Sequence, residues 1–203
     1  MWTVPNILTL ARLTVLPWVV YLMWPGVETH ASCFWAAVIY AIAGITDLVD
    51  GALARKLGQV TVMGKFLDPL SDKLFYLVAM VALLQIDGTR IPFWVVVAVL
   101  VRELSITGLR AIAAGEGIVI AAGEGGKVKT AFANIGMVCL IAHYTYIVDF
   151  GFLVAPVSLH TVGLWVTYLS VAFAWTSGIG YVRGFLKALA LRDAAKVAAA
   201  HTP

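Results

Sequence analysis

The sequence predicts an all-α integral membrane protein with six transmembrane helices and both termini on the cytoplasmic side. Three observations lead there. The 203-residue chain is 62% hydrophobic with a mean hydropathy of +0.94, and only 12% of its residues are charged, against about a quarter in a soluble domain. Its apolar residues gather into six runs near the roughly 20 residues that a spanning helix needs. Its lysines and arginines fall mostly on one side of those runs, as the positive-inside bias requires. The net charge of +3 is small and dispersed, so no nucleic-acid partner is expected.

The expected spans are 4–24, 31–50, 66–86, 91–112, 129–150 and 158–186. Pro5 suits the first turn of the first helix, and without a signal-type cleavage region after it this segment reads as retained. Turn residues separate the spans: Pro25-Gly26, Asp50-Gly51, Asp87-Gly88, the glycine-rich 115–126 and Gly151 to Pro156. The connections 25–30 and 151–157 lack lysine and arginine, and 87–90 has only Arg90. The opposite side holds Arg55, Lys56, Lys65, Lys127 and Lys129, then Arg183, Lys187, Arg192 and Lys196. Cys33 and Cys139 are far apart in apolar runs and read as buried thiols. Asp149 and His160 are expected in solvent at the far end. Residues 1–203 read as one domain, with a basic surface helix that frays at about 188–203.

Chemistry concentrates between Asp47 and Lys73, DLVDGALARKLGQVTVMGKFLDPLSDK. On a helix Asp47, Asp50 and Ala54 stand at i, i+3 and i+7, and Asp68 and Asp72 at i, i+4, so each set shares a face. Four carboxylates brought together repel unless a cation sits among them, and oxygen donors select hard ions such as magnesium, manganese or calcium. A carboxylate ion path is the transporter alternative, but such sites lie near the midplane between repeated halves, and no repeat is visible here. Hydrolysis or phosphoryl transfer fits better, because cations can neutralise a diphosphate while a carboxylate takes a proton from an attacking hydroxyl.

Two further polar sets frame the aspartates. The first span carries Asn6, Thr9 and Arg12 at i, i+3 and i+6; an arginine there needs protein, water or an anion, or snorkels to the interface. The fourth carries Glu103, Thr107 and Arg110 at i, i+4 and i+7, with Arg102 beside them. These residues read either as an ion pair joining helices or as an anion site. Lys127 and Lys129 follow within GGKVKT, and with Arg110 they suit a small phosphorylated molecule.

The pattern Asp47-x2-Asp50-Gly51-x2-Ala54-Arg55-x8-Gly64-x3-Asp68-x3-Asp72 resembles the signature of the CDP-alcohol phosphotransferase family at every position. The resemblance implies that family's six-helix membrane fold, a homodimer, and a pair of magnesium (or manganese) ions. It places Asp47, Asp50, Asp68 and Asp72 on the metals, with Asp72 also the base. Gly51, Ala54, Arg55 and Gly64 would line the CDP-diacylglycerol site, with Asn6 and Thr9 on the same side. The flanking Pro5-Asn6-x2-Thr9-x2-Arg12, Arg102-Glu103 through Thr107-Gly108-Leu109-Arg110 and Gly126-Lys127-Val128-Lys129-Thr130 are most similar to the branch that makes phosphatidylglycerol phosphate. The similarity covers most of residues 4–130.

That likeness implies transfer of a phosphatidyl group from CDP-diacylglycerol to sn-glycerol 3-phosphate, releasing CMP at a cytoplasm-facing inner membrane. Arg110, Lys127 and Lys129, with Arg102 and Thr107, are the expected sites for the acceptor's phosphate. Inositol phosphate, serine, or phosphatidylglycerol as in cardiolipin synthesis are the alternative acceptors within the family.

Overall fold

The computed structural model describes residues 4–57, 62–85, 90–116, 125–149, 151 and 154–200; their side chains are described except in 4–9, 47–57, 62–69, 125–129 and 193–200. Six helices run in order: α1 (Val4–Leu22), α2 (His30–Leu57), α3 (Val62–Ala82), α4 (Phe93–Gly115), α5 (Gly125–Ala142) and α6 (Leu159–Ala200). Between α5 and α6 lies a hairpin of β1 (Thr145–Asp149) and β2 (Val154–Ser158).

Local chemistry explains several boundaries. After α1 the chain turns at Gly26, whose φ of +88° suits a residue without Cβ. Thr29 and Ser32 then open α2 reciprocally: the Ser32 amide donates to Thr29 Oγ1 at 3.0 Å and the Thr29 amide to Ser32 Oγ at 2.7 Å, satisfying amides that a helix start leaves unpaired. Pro92, in extended backbone, starts α4.

Two expectations need correction. The fifth helix ends at Ala142, not near 150, and the fold is mostly rather than wholly helical. His143 takes a left-handed φ of 28° while its amide donates to the Cys139 carbonyl at 2.9 Å, which terminates the helix. The β-branched and aromatic run from Thr145 then pairs antiparallel with β2, Tyr146 opposite Val157 and Ile147 opposite Pro156. The sixth helix runs unbroken for 42 residues, about 63 Å at 1.5 Å per residue, so the expected separate tail is its continuation.

The packing orders the helices around one buried cluster. Val19 of α1, Met23 just after it, Tyr40 of α2, Met80 of α3, Val95 of α4, and Met137 and Leu140 of α5 are almost wholly excluded from solvent. Helices α5 and α6 are in closest contact. A Cβ on Gly163 would lie 2.9 Å from the Leu140 amide nitrogen, and one on Gly136 would lie 2.5 Å from Thr167 Oγ1, so only glycine lets these backbones meet. The Ala174/Gly178 pair lies against α4 instead, with Gly178 facing Ile106 and Arg102.

Large apolar side chains also point outward: Trp18, Ile45, Leu104 and Trp165 are each more than 60% exposed. Apolar surface on this scale does not suit water. Among the described residues, Leu159–Arg192 is long and apolar enough to cross a membrane, and Leu10–Leu22, His30–Thr46 and Thr130–Ala142 are shorter apolar stretches.

The hairpin end is tied by charge. Arg90, only 2% exposed, pairs with Glu28 and donates to the Ile141 carbonyl at 3.4 Å and to Cys33 Sγ. His160 Nε2 lies 3.2 Å from the Arg90 carbonyl. His160 is therefore half-buried in this knot, not solvated as expected; Asp149 is exposed and accepts from the Gly151 amide. Both cysteines are free thiols.

Candidate active site

The aspartate signature lies along α2 and α3, and one contact fixes their relative direction. Tyr40 and Phe75 stack with centroids 4.6 Å apart. Tyr40 is 17 residues before the end of α2, and Phe75 is 13 after the start of α3, about 26 and 20 Å along their axes. If the helices were parallel, the joined ends would be about 46 Å apart, beyond the ~18 Å that five peptide links can span. The helices are therefore antiparallel. Positions 47 and 68 are each seven residues from the stack toward the connection, about 10 Å away, so they share one level of the hairpin-like pair.

Of the four aspartates, Asp72 has a described side chain, and it is exposed. It lines a small cleft with Lys73 and Tyr76 of α3, Glu103 of α4, and Thr130 and Asn134 of α5. The described part of the cleft encloses about 50 Å3. Lys73 Nζ donates to Thr107 Oγ1 at 2.5 Å, and Thr107 Oγ1 in turn donates to the Glu103 carbonyl at 2.6 Å, joining α3 to α4 across the cleft wall.

Helix α4 divides its polar residues between two neighbours. Glu103 and Thr107 serve the cleft. Arg102 pairs with Glu103 at 2.6 Å, and its Nε donates to the Ala174 carbonyl of α6 at 3.1 Å. Arg110 is exposed, its guanidinium 5.5 Å from the centroid of the Tyr181 ring on α6. Arg12 is buried and donates from Nε to the Ala43 carbonyl at 3.2 Å, so it faces protein rather than snorkelling. The side chains of Asn6, Thr9, Asp47, Asp50, Ala54, Arg55, Asp68, Lys127 and Lys129 lie outside the described set, as do the surroundings of Gly51 and Gly64; all are at helical positions.

Lys73, Tyr76 and Asn134 are cleft residues that the sequence reading passed over. Tyr76 offered a signal, standing one turn after Asp72 on the same face of α3; Lys73, next to Asp72 in the chain, is turned about 100° from that face.

The donor chemistry suits a hard divalent cation. Asp72 offers carboxylate oxygens at an exposed position, and no cysteine or histidine lines the cleft among the described residues. Among those residues no group of three metal-binding side chains gathers; the side chains of Asp47, Asp50 and Asp68 are not among them.

Residues 2–176 match the CDP-alcohol phosphatidyltransferase family. The chain belongs to this family. It is 40% identical over 153 residues to the CDP-diacylglycerol–glycerol-3-phosphate 3-phosphatidyltransferase of Bacillus subtilis strain 168, covering 70% of this chain and 78% of that one. A probable phosphatidylglycerophosphate synthase of Mycobacterium tuberculosis is 36% identical over 191 residues, 93% of this chain and 81% of the relative. The CMP-forming cardiolipin synthase of Streptomyces coelicolor is 36% identical over 102 residues, half of this chain and 46% of its own. As a member of the family the protein is a phospholipid-synthesising transferase, and divalent-metal dependence comes with the family.

Proposed function

We propose that the protein transfers the phosphatidyl group of CDP-diacylglycerol to sn-glycerol 3-phosphate, giving phosphatidylglycerol phosphate and CMP. The observation that carries this reading is Asp72: an exposed carboxylate in a cleft between α3, α4 and α5, on a helix antiparallel to the one bearing Asp47 and Asp50. The Bacillus subtilis and Mycobacterium tuberculosis relatives, named for glycerol-3-phosphate 3-phosphatidyltransfer and phosphatidylglycerophosphate synthesis, support the acceptor.

Asp72 accepts the proton of the acceptor hydroxyl as its oxygen bonds to the lipid-bearing phosphorus. The bond from that phosphorus to the bridging oxygen breaks, and CMP departs with that oxygen. Asp47, Asp50, Asp68 and Asp72 would hold a pair of magnesium or manganese ions, whose charge offsets that developing on the diphosphate and leaving group. Gly51, Ala54, Arg55 and Gly64, with Asn6 and Thr9, would receive CDP-diacylglycerol. Arg110, Lys127 and Lys129, with Arg102 and Thr107, would attract the acceptor's phosphate.

We place the six helices across the inner membrane as a homodimer, both termini and the cleft facing the cytoplasm. The lysine and arginine distribution supports that orientation. The exposed apolar flanks of α3 and α4, including Leu74, Val78, Trp94 and Leu104, suit lipid or a second copy.

The test is CMP release by protein purified in detergent with magnesium and CDP-diacylglycerol, across glycerol 3-phosphate, inositol phosphate, inositol, serine and phosphatidylglycerol. Release with glycerol 3-phosphate alone, lost in Asp72→Asn, is the expected result. The partial match to cardiolipin synthase makes phosphatidylglycerol the acceptor most worth including; release with it instead would overturn the acceptor assignment.

A further inference from the structure

We infer that Lys73 is an acceptor-binding residue, its ammonium receiving the phosphate of the incoming alcohol while Asp72 receives the hydroxyl proton. This rests on the proposed reaction. Lys73 lines the same cleft as Asp72, and their Cα atoms are about 3.8 Å apart as chain neighbours. A molecule with a hydroxyl at one end and a phosphate three carbons away can therefore reach both.

Three features make Lys73 suited to an anion. Among the described residues its ammonium makes one hydrogen bond, to the neutral Thr107 hydroxyl at 2.5 Å, and no carboxylate lies within ion-pair reach of it. Among the described residues two of its N–H donors have no partner. Glu103 lines the same cleft, but its carboxylate is engaged by Arg102 at 2.6 Å, which lessens its competition for the lysine. Thr107, itself anchored to the Glu103 carbonyl at 2.6 Å, restrains the flexible lysine stem, so less side-chain freedom is lost when a phosphate binds.

The position also separates the two substrates. The walls around Lys73 come from α4 and α5, through Glu103, Thr130 and Asn134. The residues read as the nucleotide side, Gly51 to Arg55, are on α2. Lys73 is thereby assigned to the acceptor rather than to the diphosphate, and alcohols without a phosphate gain nothing from it.

The experiment is steady-state CMP release in detergent with magnesium, varying each substrate in turn for the unaltered protein, Lys73→Met and Lys73→Arg, with melting temperatures measured on the same samples. Lys73→Met keeps the apolar stem and removes the charge. Its KM for glycerol 3-phosphate should rise about 10- to 100-fold, the loss expected for one charged hydrogen bond. Its KM for CDP-diacylglycerol and its kcat should stay within about threefold, and Lys73→Arg should fall between the two proteins.

An unchanged KM for glycerol 3-phosphate would sink the inference, and so would equal rises for both substrates. Failure of both variants to fold would also overturn it, assigning Lys73 to holding α3 against α4. A wrong acceptor shows differently, because the unaltered protein would then release CMP with another alcohol. If that alcohol carries a phosphate, Lys73→Met should raise its KM instead; if it carries none, the inference falls too.

Discussion

The two ends of the bundle use charge in opposite ways. At the hairpin end Arg90 is buried and its guanidinium is shared among Glu28, Cys33 and the Ile141 carbonyl. At the signature end Asp72 and Arg110 are exposed, and Lys73 is half-buried with a single neutral partner among the described residues. Charges surrounded by protein partners hold the connections together and have nothing left for a ligand. Charges left accessible add little to folding but can meet a substrate. Substitutions at the first end should therefore act on stability, and those at the second on turnover.

The largest expected effect is at the signature end. Asp72→Asn removes the base while keeping its shape, and CMP release should fall at least ~100-fold, the lower bound for a positioned proton acceptor. The melting temperature should barely move, since the group is exposed. A large loss of stability with activity retained in the folded fraction would erase the distinction between the ends.

Glu28→Ala is the converse. It leaves the Arg90 guanidinium buried without its carboxylate, and the cost should be about 2–4 kcal/mol, below the value for a fully enclosed pair because Glu28 is partly exposed. Protein that remains folded should keep its kcat. Thermal unfolding and CMP release on one preparation check both halves.

Gly163→Ala probes the contact of α5 with α6 beside the hairpin. Its new methyl would meet the Leu140 backbone at 2.9 Å, and overpacking of this kind costs about 1–3 kcal/mol. Arg110→Ala should destabilise by less, about 0.5–1 kcal/mol from the lost contact with Tyr181. Its reading as an acceptor site predicts a higher KM for glycerol 3-phosphate than for CDP-diacylglycerol relative to the unaltered protein. Equal changes in both would make it a structural partner of α6.

The sequence was most readable where apolar runs end in strong punctuation. Gly26 turns the chain after α1, and Pro92 stands at the start of α4. It was least readable after Ala142. Hydropathy measures how apolar a segment is, so 129–150 looked like one span, yet β1 alternates exposed and half-buried residues from Thr145 to Asp149, the period of a strand. Arg90 stood out in the sequence only as a lone basic residue in a far-side connection, because its partners Glu28, Cys33 and Ile141 are distant in the chain. The aspartate signature was legible because its spacing is local to two helices. Lys73 was hidden because its importance depends on Thr107, 34 positions away.

The smallest expected effect is a pH dependence confined to the hairpin end. Burial, followed by the nearby charges of Arg90 and His160, lowers the pKa of His143 from 6.5 to about 4. Above pH 6.5 the imidazole is neutral whether the chain is folded or not, and the full stability is present. As pH falls from 6.5 toward 4 the unfolded chain takes up a proton that the folded protein resists, so stability declines across that window and levels off below it. His143 is only partly buried, so solvent screening keeps the effect to roughly 1–2 °C in melting temperature. His143→Asn tolerates the left-handed backbone and cannot titrate, so its melting temperature should lose this part of the slope between pH 6.5 and 4. An unchanged slope would mean that the acid sensitivity comes from carboxylates elsewhere, and that the knot around Arg90 does not hold His143 neutral.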